Sequence, residues 1–434
     1  MDSLWKNDIK SKKYKRLQGD MRTDVLIVGG GIAGILCAHK LKSCGVDFAV
    51  IEAREIFSGN TGNTTAKITL SHGLIYDKLI SRFGEEFARL FLMAQSEAID
   101  EYAKLCRQID CDFEFRDSYV YSLNDRKRIE KEISALEKLG LNAEFSTAAE
   151  LPFDVAGAVK VKKQGQFNPL KFLYELSKDL PIFEHTKLQQ LLPYRAITNR
   201  GEIRYKKLIV ATHFPIFNKH GLYPLKMYQH RSYVIALDGA KIPDGMYVDE
   251  SDAGLSFRNY GKLLLLGGGG HRTGKRGGCW QELEDFAKEN YPGANIVAKW
   301  AAQDCMTLDG VAYIGQYSKS TPDVFVATGF NKWGMTNAMV AANILADLVL
   351  ERPNKYSDAF SPSRSILRPQ LAVNAFESII GLLTPTAPRC PHLGCALKYN
   401  RAEHSWDCSC HGSRFSETGE LIDNPATDDK KDLK

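Results

Sequence analysis

The chain has 434 residues, of which 44% are hydrophobic and 25% charged, with a formal net charge of +5. That is ordinary composition for a globular protein of two or three domains, and the mild basic excess lacks the clustered charge and interleaved aromatics of a nucleic-acid partner. No apolar run approaches the roughly 18 residues that cross a bilayer, and residues 1–20 have no apolar stretch of the kind a signal peptide needs.

Residues 1–22 read as an extension whose basic run, Lys10, Lys12, Lys13, Lys15 and Arg16, is solvated. From Asp24, DVLIV has the β-branched character of a buried parallel strand. Residues 32–44 then show helical spacing closed by Gly45, and FAVIE returns to a strand. Gly29, Gly31 and Gly34 stand in a G-x-G-x-x-G frame between strand and helix, and Glu52 ends the second strand. In this βαβ setting the glycines allow a tight turn, approach of a pyrophosphate and close helix packing, while the acid accepts from ribose hydroxyls. Dinucleotide binding is the expectation.

Amphipathic helices are expected over 85–109 and 125–140, the latter with Ile129, Ile133 and Leu136 on one face. Strands are expected at 202–212, 231–237, 262–269 and 323–329, followed by a helix over 336–351. The excess of strands between about 150 and 330 predicts a second, more antiparallel domain interleaved with the first. A Pro- and Ser-rich stretch at 351–369 reads as a linker. The boundaries are then 23–360 for the interleaved body, 361–387 for the linker, 388–428 for a small module and 429–434 for a disordered tail. The apolar patch Ile379 to Leu383 is long enough only for core or a docking surface.

Six cysteines, Cys37, Cys44, Cys106, Cys111, Cys279 and Cys305, are scattered without metal-ligand spacing and read as reduced thiols of a cytoplasmic protein. The other four fall in CPHLGC (390–395) and CSCHGS (408–413). Cys390-x-His392 and Cys408-x-x-His411 offer one thiolate and one imidazole from each of two loops. That is the ligand set of a Rieske [2Fe–2S] cluster. Zinc is the competing reading of short Cys/His spacing, but a zinc knuckle does not call for six ligand-capable residues in this order followed by Gly-Ser.

The βαβ unit, LIVATHFP (208–215) and the segment 309–348 resemble the D-amino-acid oxidase, glycine oxidase and sarcosine oxidase superfamily of FAD enzymes over roughly residues 20–350. The resemblance implies an α/β fold: a Rossmann-like FAD-binding domain with an interleaved α+β substrate domain. It further implies that Gly329, Phe330, Trp333, Gly334, Met335 and Thr336 lie beside the flavin ring. SGNTGNTTAK (58–67), with Thr64 and Thr65, resembles the second flavin-contacting loop. By motif position, Lys67, Tyr228, His230 and Arg231 are the candidates for substrate contact. Cys305 reads as a packing thiol. Some family oxidases carry a lysine that assists oxygen reduction where this chain has Thr336, which would make oxygen a poor electron acceptor.

Residues 388–428 resemble the cytochrome bc-type Rieske family. That resemblance implies Cys390, His392, Cys408 and His411 as cluster ligands and Cys395–Cys410 as a disulfide. Asn424-Pro425-Ala426 resembles its proline-containing covering loop. Where the high-potential branch has a tyrosine donating to sulfur, this chain has Phe415, although Ser413 is kept, so a lower potential is expected. Few residues before Cys390 could form supporting strands. The module therefore reads as truncated to its loops, leaning on the oxidoreductase body or a second copy.

A flavin accepts a hydride and an iron–sulfur cluster relays electrons singly. The combined layout resembles FAD-dependent oxidoreductases carrying a C-terminal Rieske domain. It implies a dehydrogenase for an amine or amino acid that passes electrons through the cluster to an external carrier protein. The alternatives are the same chain run in reverse as a reductase, and a redox- or iron-responsive binding module without turnover. A Rieske oxygenase is disfavoured, because no two-His, one-carboxylate iron site is evident.

Overall fold

In the computed structural model the described residues are 3–6, 9, 12–217, 220–251, 254–385 and 388–431. Lys10 of the basic run and residues 432–434 of the tail lie outside them. A six-stranded sheet runs in the order Tyr313–Ser318, Thr321–Thr328, Lys207–Val210, Val25–Val28, Phe48–Ile51 and Ile182–Phe183. Its strands are parallel except for Tyr313–Ser318. Val25–Val28 and Phe48–Ile51 are buried at every position, as central strands covered on both faces must be. Helices Ile32–Ser43 and Gly334–Val349 pack together against this sheet.

The second domain is a nine-stranded, mainly antiparallel sheet in which Asn295–Thr307, Met227–Asp238 and Leu263–Arg272 lie side by side. It also recruits Glu114–Ser122 and the short Lys67–Ile68, from well before residue 150. Residues 202–212, expected as one strand, form two. Gly201–Arg204 joins a small sheet with Met21–Arg22, whereas Lys207–Val210 enters the six-stranded sheet.

Three expectations are corrected. The N-terminal extension keeps Lys12, Lys13, Lys15 and Arg16 exposed, yet it is anchored: Trp5 is 0% exposed and its indole N–H donates to Thr64 O at 2.7 Å. The expected linker contains a helix, Pro369–Leu383. Arg389 closes its C-terminal end by donating to the carbonyls of Gly381, Leu382 and Thr384. The C-terminal module is more than loops. Leu397–Asn400, Ser405–Cys408, Arg414–Ser416 and Leu421–Asp423 form a four-stranded antiparallel meander. The supporting strands follow Cys390 instead of preceding it, and their small core gathers Leu397, Phe415 and Ala426 around the cysteines.

Candidate active site and metal centre

A cavity of about 910 Å³ runs through the body. Gly29, Gly31, Glu52, Thr64, Thr65, Lys67, Tyr228, Gly329, Phe330, Trp333, Gly334 and Met335 all line it. Gly29 has φ +113°, and a Cβ there would stand 2.4 Å from Ala211 O. Gly34 does not line the cavity; a Cβ on it would meet Gly29 O at 2.0 Å, so it lets helix and loop close on each other. Glu52 accepts from the backbone N–H of Gly30 at 2.8 Å and of Arg54 at 2.9 Å, which fixes its carboxylate at the cavity edge. This bare loop at a helix N-terminus, with an acid beside it, fits the diphosphate and ribose of FAD.

At the other end, helix Gly334–Val349 opens toward the cavity with no side chain capping its first turn. Such a terminus favours negative charge on a bound ring. Asn331 and Lys332 both have positive φ, and Asn331 Oδ1 accepts from Thr307 N at 2.7 Å to hold that turn. His72 stacks on Trp333 with ring centroids 5.1 Å apart, and its Nε2 lies 2.9 Å from Thr336 Oγ1. Burial lowers the His72 pKa to about 3, so the ring is neutral. Thr336 is thereby turned to His72 and does not line the cavity. Because Lys67 and Lys332 line it, the missing lysine at 336 does not leave the cavity without a cation. Cys305 lines the cavity near Met227 Sδ, and burial pushes its thiol up to about 12.

Lys67 Nζ reaches Thr65 Oγ1 at 3.2 Å. Burial, then the charge of Arg258, lowers its pKa to about 7. Arg258, 1% exposed, donates to the carbonyls of Thr65 and Ala66 and so fixes the loop that carries Lys67.

Two substrate candidates are corrected. Arg231 turns away from the cavity and forms a bidentate pair with Glu403 of the C-terminal module, both side chains being under 10% exposed. His230 is buried without lining the cavity. In a strand successive side chains point to opposite faces, so Tyr228 and Arg231 cannot share one.

In the C-terminal module the two loops are near copies of each other. Gly394 N donates to Cys390 O and Gly412 N to Cys408 O, each at 2.9 Å, with φ +78° and +88° at the glycines. The N–H groups of His392 and Leu393 point at the Cys390 sulfur, and those of Cys410 and His411 at the Cys408 sulfur. The His392 and His411 rings lie 5.0 Å apart at 84°. Burial lowers their pKa values to about 4 and about 3, leaving the neutral form that binds metal. His411 Nδ1 is buried with no hydrogen-bond partner. Two buried thiols on amide donors and two neutral imidazoles fit a Rieske cluster. Cys395 and Cys410 are joined as a disulfide, Cα atoms 6.6 Å apart, and Cys408 Sγ lies within 4.8 Å of both sulfurs. Ser413 hydrogen-bonds Cys390 and accepts from Ala426 N at 2.9 Å, so the proline-containing loop does close over this site.

The strand Met227–Asp238 runs between the cavity and the Cys390 and Cys408 loops, while Asn424 and Ala426 of the module's proline-containing loop themselves line the cavity. Tyr228, Ser232 and Val234 line the cavity. On the opposite face, Gln229 Nε2 donates to His411 O at 3.2 Å and Asn424 O at 2.8 Å. Gln303 on the neighbouring strand donates to Gly412 O at 2.9 Å. Arg272 stacks on Tyr228 at 4.8 Å and donates to the carbonyls of Ser409 and Cys410. Sequence reasoning missed Gln229, Arg272, Gln303, Glu403 and Arg258, since a polar residue in a strand signals its partner only when the opposing surface is known. His72 had a weaker signal, a lone histidine shortly after the second flavin loop.

Comparison with known proteins agrees with this geometry. Residues 24–348 match the family model "FAD dependent oxidoreductase", and residues 371–434 match "Rieske [2Fe-2S] domain". The chain is 33% identical to a Rieske 2Fe-2S iron–sulfur protein, YhfW, of Bacillus subtilis (strain 168), covering 98% of this chain and 96% of that protein. It is 24% identical to γ-glutamylputrescine oxidoreductase of Escherichia coli (strain K12), over 81% of this chain and 89% of that protein. The crystal structure of L-proline dehydrogenase from P. horikoshii superposes with a TM-score of 0.67 at 18% identity, over 80% of this chain and 98% of that one. The two matched domains imply FAD and a [2Fe–2S] cluster as the cofactors. The chain belongs to the FAD-dependent oxidoreductase family, in a form that carries a Rieske [2Fe–2S] domain at its C-terminal end.

Proposed function

We propose that the protein is a dehydrogenase that oxidises an amine or amino acid and sends the electrons through the Rieske cluster to an external one-electron carrier. Bound FAD supplies a hydride acceptor, and the cluster supplies a one-electron relay. The observation that carries this reading is the shared strand: its Tyr228, Ser232 and Val234 face the cavity while Gln229 holds the backbone of His411 on the other side. Cavity and cluster loops are then separated by little more than one strand with its side chains, on the order of 10 Å.

Within the cavity, Lys67 is the cation placed to hold a substrate carboxylate, and with its pKa lowered to about 7 it carries charge at and below neutral pH. Tyr228 supplies an aromatic wall, and the neutral His72 ring backs Trp333 without adding a competing charge. The names of the E. coli relative and the P. horikoshii neighbour point to amine and amino-acid substrates. The test is anaerobic exposure of the purified holoprotein to a panel of amines and amino acids, read by bleaching of flavin absorbance. Bleaching by a member of the panel supports the reading. Flavin that stays oxidised throughout, yet reduces when a reduced carrier is supplied through the cluster, would favour the reverse direction.

A further inference from the structure

We infer that the outward face of helix Pro369–Leu383 docks on an anionic membrane surface, beside the cluster. A helix at a protein surface normally turns its apolar stripe inward; this one is inverted. Its inner side is polar or small. Asn374 Oδ1 accepts from Arg272, Glu377 pairs with Lys275 at 2.6 Å, and Gly381 packs so tightly on the disulfide that a Cβ would stand 2.5 Å from Cys410 Sγ. Its outer side presents Val373, Phe376, Ile379, Ile380, Leu382 and Leu383, with Phe376 62% and Leu383 75% exposed. Leu367 and Leu393 extend the stripe at either end, and Leu393 is the neighbour of the ligand His392. Eight of the 18 exposed large apolar side chains among the described residues therefore fall within residues 367–393. That density makes a patch and not scattered exposure.

Charge selects the occupant. Residues 361–402 contain five basic side chains, Arg364, Arg368, Arg389, Lys398 and Arg401, against one acid, Glu377. Arg364 is consumed by Asp309, Glu377 by Lys275 and Arg389 by the carbonyls at the helix end, which leaves Arg368, Lys398 and Arg401 as the basic side chains of this stretch with no acid beside them in it. A two-fold contact between copies of this chain would set that basic surround against itself. A soluble carrier that comes and goes would leave the stripe in water between encounters. The stripe is also aliphatic apart from Phe376, whereas protein interfaces favour aromatic residues, Met and Arg at their centre. An anionic bilayer satisfies both features, apolar side chains entering the acyl boundary and basic ones meeting headgroups. Fifteen residues make a helix of about 22 Å, and no helix among the described residues is long and apolar enough to cross a membrane, so this one lies in the surface plane.

The test is co-sedimentation of the full-length holoprotein with vesicles of mixed phosphatidylglycerol and phosphatidylcholine, and with phosphatidylcholine alone. Binding to the anionic vesicles that weakens with salt is expected. The double variant Phe376→Ser, Ile380→Ser should lower partitioning about a hundredfold with unchanged flavin and cluster spectra, while Phe115→Ser, at another exposed apolar site, should have no effect. Wild-type protein remaining in the supernatant with anionic vesicles would overturn the inference. So would equal binding by the double variant, or a dimer in light scattering that the double variant dissolves.

Discussion

The replacement Glu403→Gln tests how the cluster module is held against the flavin body. Glu403 sits at the centre of a buried network, receiving Arg231 and Tyr233 from the body and Arg414 from its own module. Burial alone would raise its carboxyl, but the charges of Arg231 and Arg414 prevail and hold it at about 2 against an ordinary 4.5. At about 1.4 kcal/mol per pH unit, that difference amounts to ~3 kcal/mol of stability at neutral pH. The value agrees with the ~3–5 kcal/mol generally lost when one partner of a buried ion pair is removed. The carboxyl is lowered on folding, so its contribution is complete above pH 4.5 and is lost as pH falls toward about 2. Urea unfolding followed by visible circular dichroism of the cluster should show the variant destabilised by ~3 kcal/mol at pH 7 and 5, with a difference that shrinks at lower pH. A loss below ~1 kcal/mol, typical of a solvent-exposed pair, or a difference that grows on acidification, would refute the reasoning.

Other consequences can be checked separately. Phe415 is fully buried beside Cys390 and Cys408; Phe415→Tyr adds a donor near the cluster sulfurs and should raise the midpoint potential by tens of mV in a redox titration, roughly within the known Rieske range. Lys67→Met should raise KM for a carboxylate-bearing substrate about tenfold or more. It should also abolish the loss of affinity expected in the wild type as pH rises through about 7, because only the protonated amine attracts a carboxylate. Trp5→Ala removes a wholly buried side chain and the bond to Thr64 O. It should cost about 3–5 kcal/mol and speed FAD loss on gel filtration, since Thr64 lines the cavity.

Much of this architecture was legible because local chemistry dictated it. The Gly29–Gly34 loop and the Cys390 and Cys408 loops each carry their function within a few consecutive residues, so spacing alone located them. The helices at Glu85–Cys106, Arg126–Lys138 and Gly334–Val349 were announced by apolar periodicity. What escaped was whatever depends on a distant surface. Arg231 looked like a substrate cation until Glu403, 172 residues later, proved to neutralise it. Strand parity alone would have set it on the face opposite Tyr228, but not what waits there. Helix Pro369–Leu383 was hidden by its inverted polarity, and the meander by the assumption that supporting strands come before the ligands they support.

The central claim is that electrons leave a reduced flavin by way of Cys390, His392, Cys408 and His411. Rapid-freeze electron paramagnetic resonance after anaerobic mixing of iron- and sulfide-loaded holoprotein with a substrate that bleaches the flavin tests it most directly. The account predicts that the signal of a reduced Rieske cluster grows as the flavin absorbance is lost, and that a replacement of Gln229 by Leu slows its growth. Full bleaching with a cluster that stays oxidised and silent would contradict it.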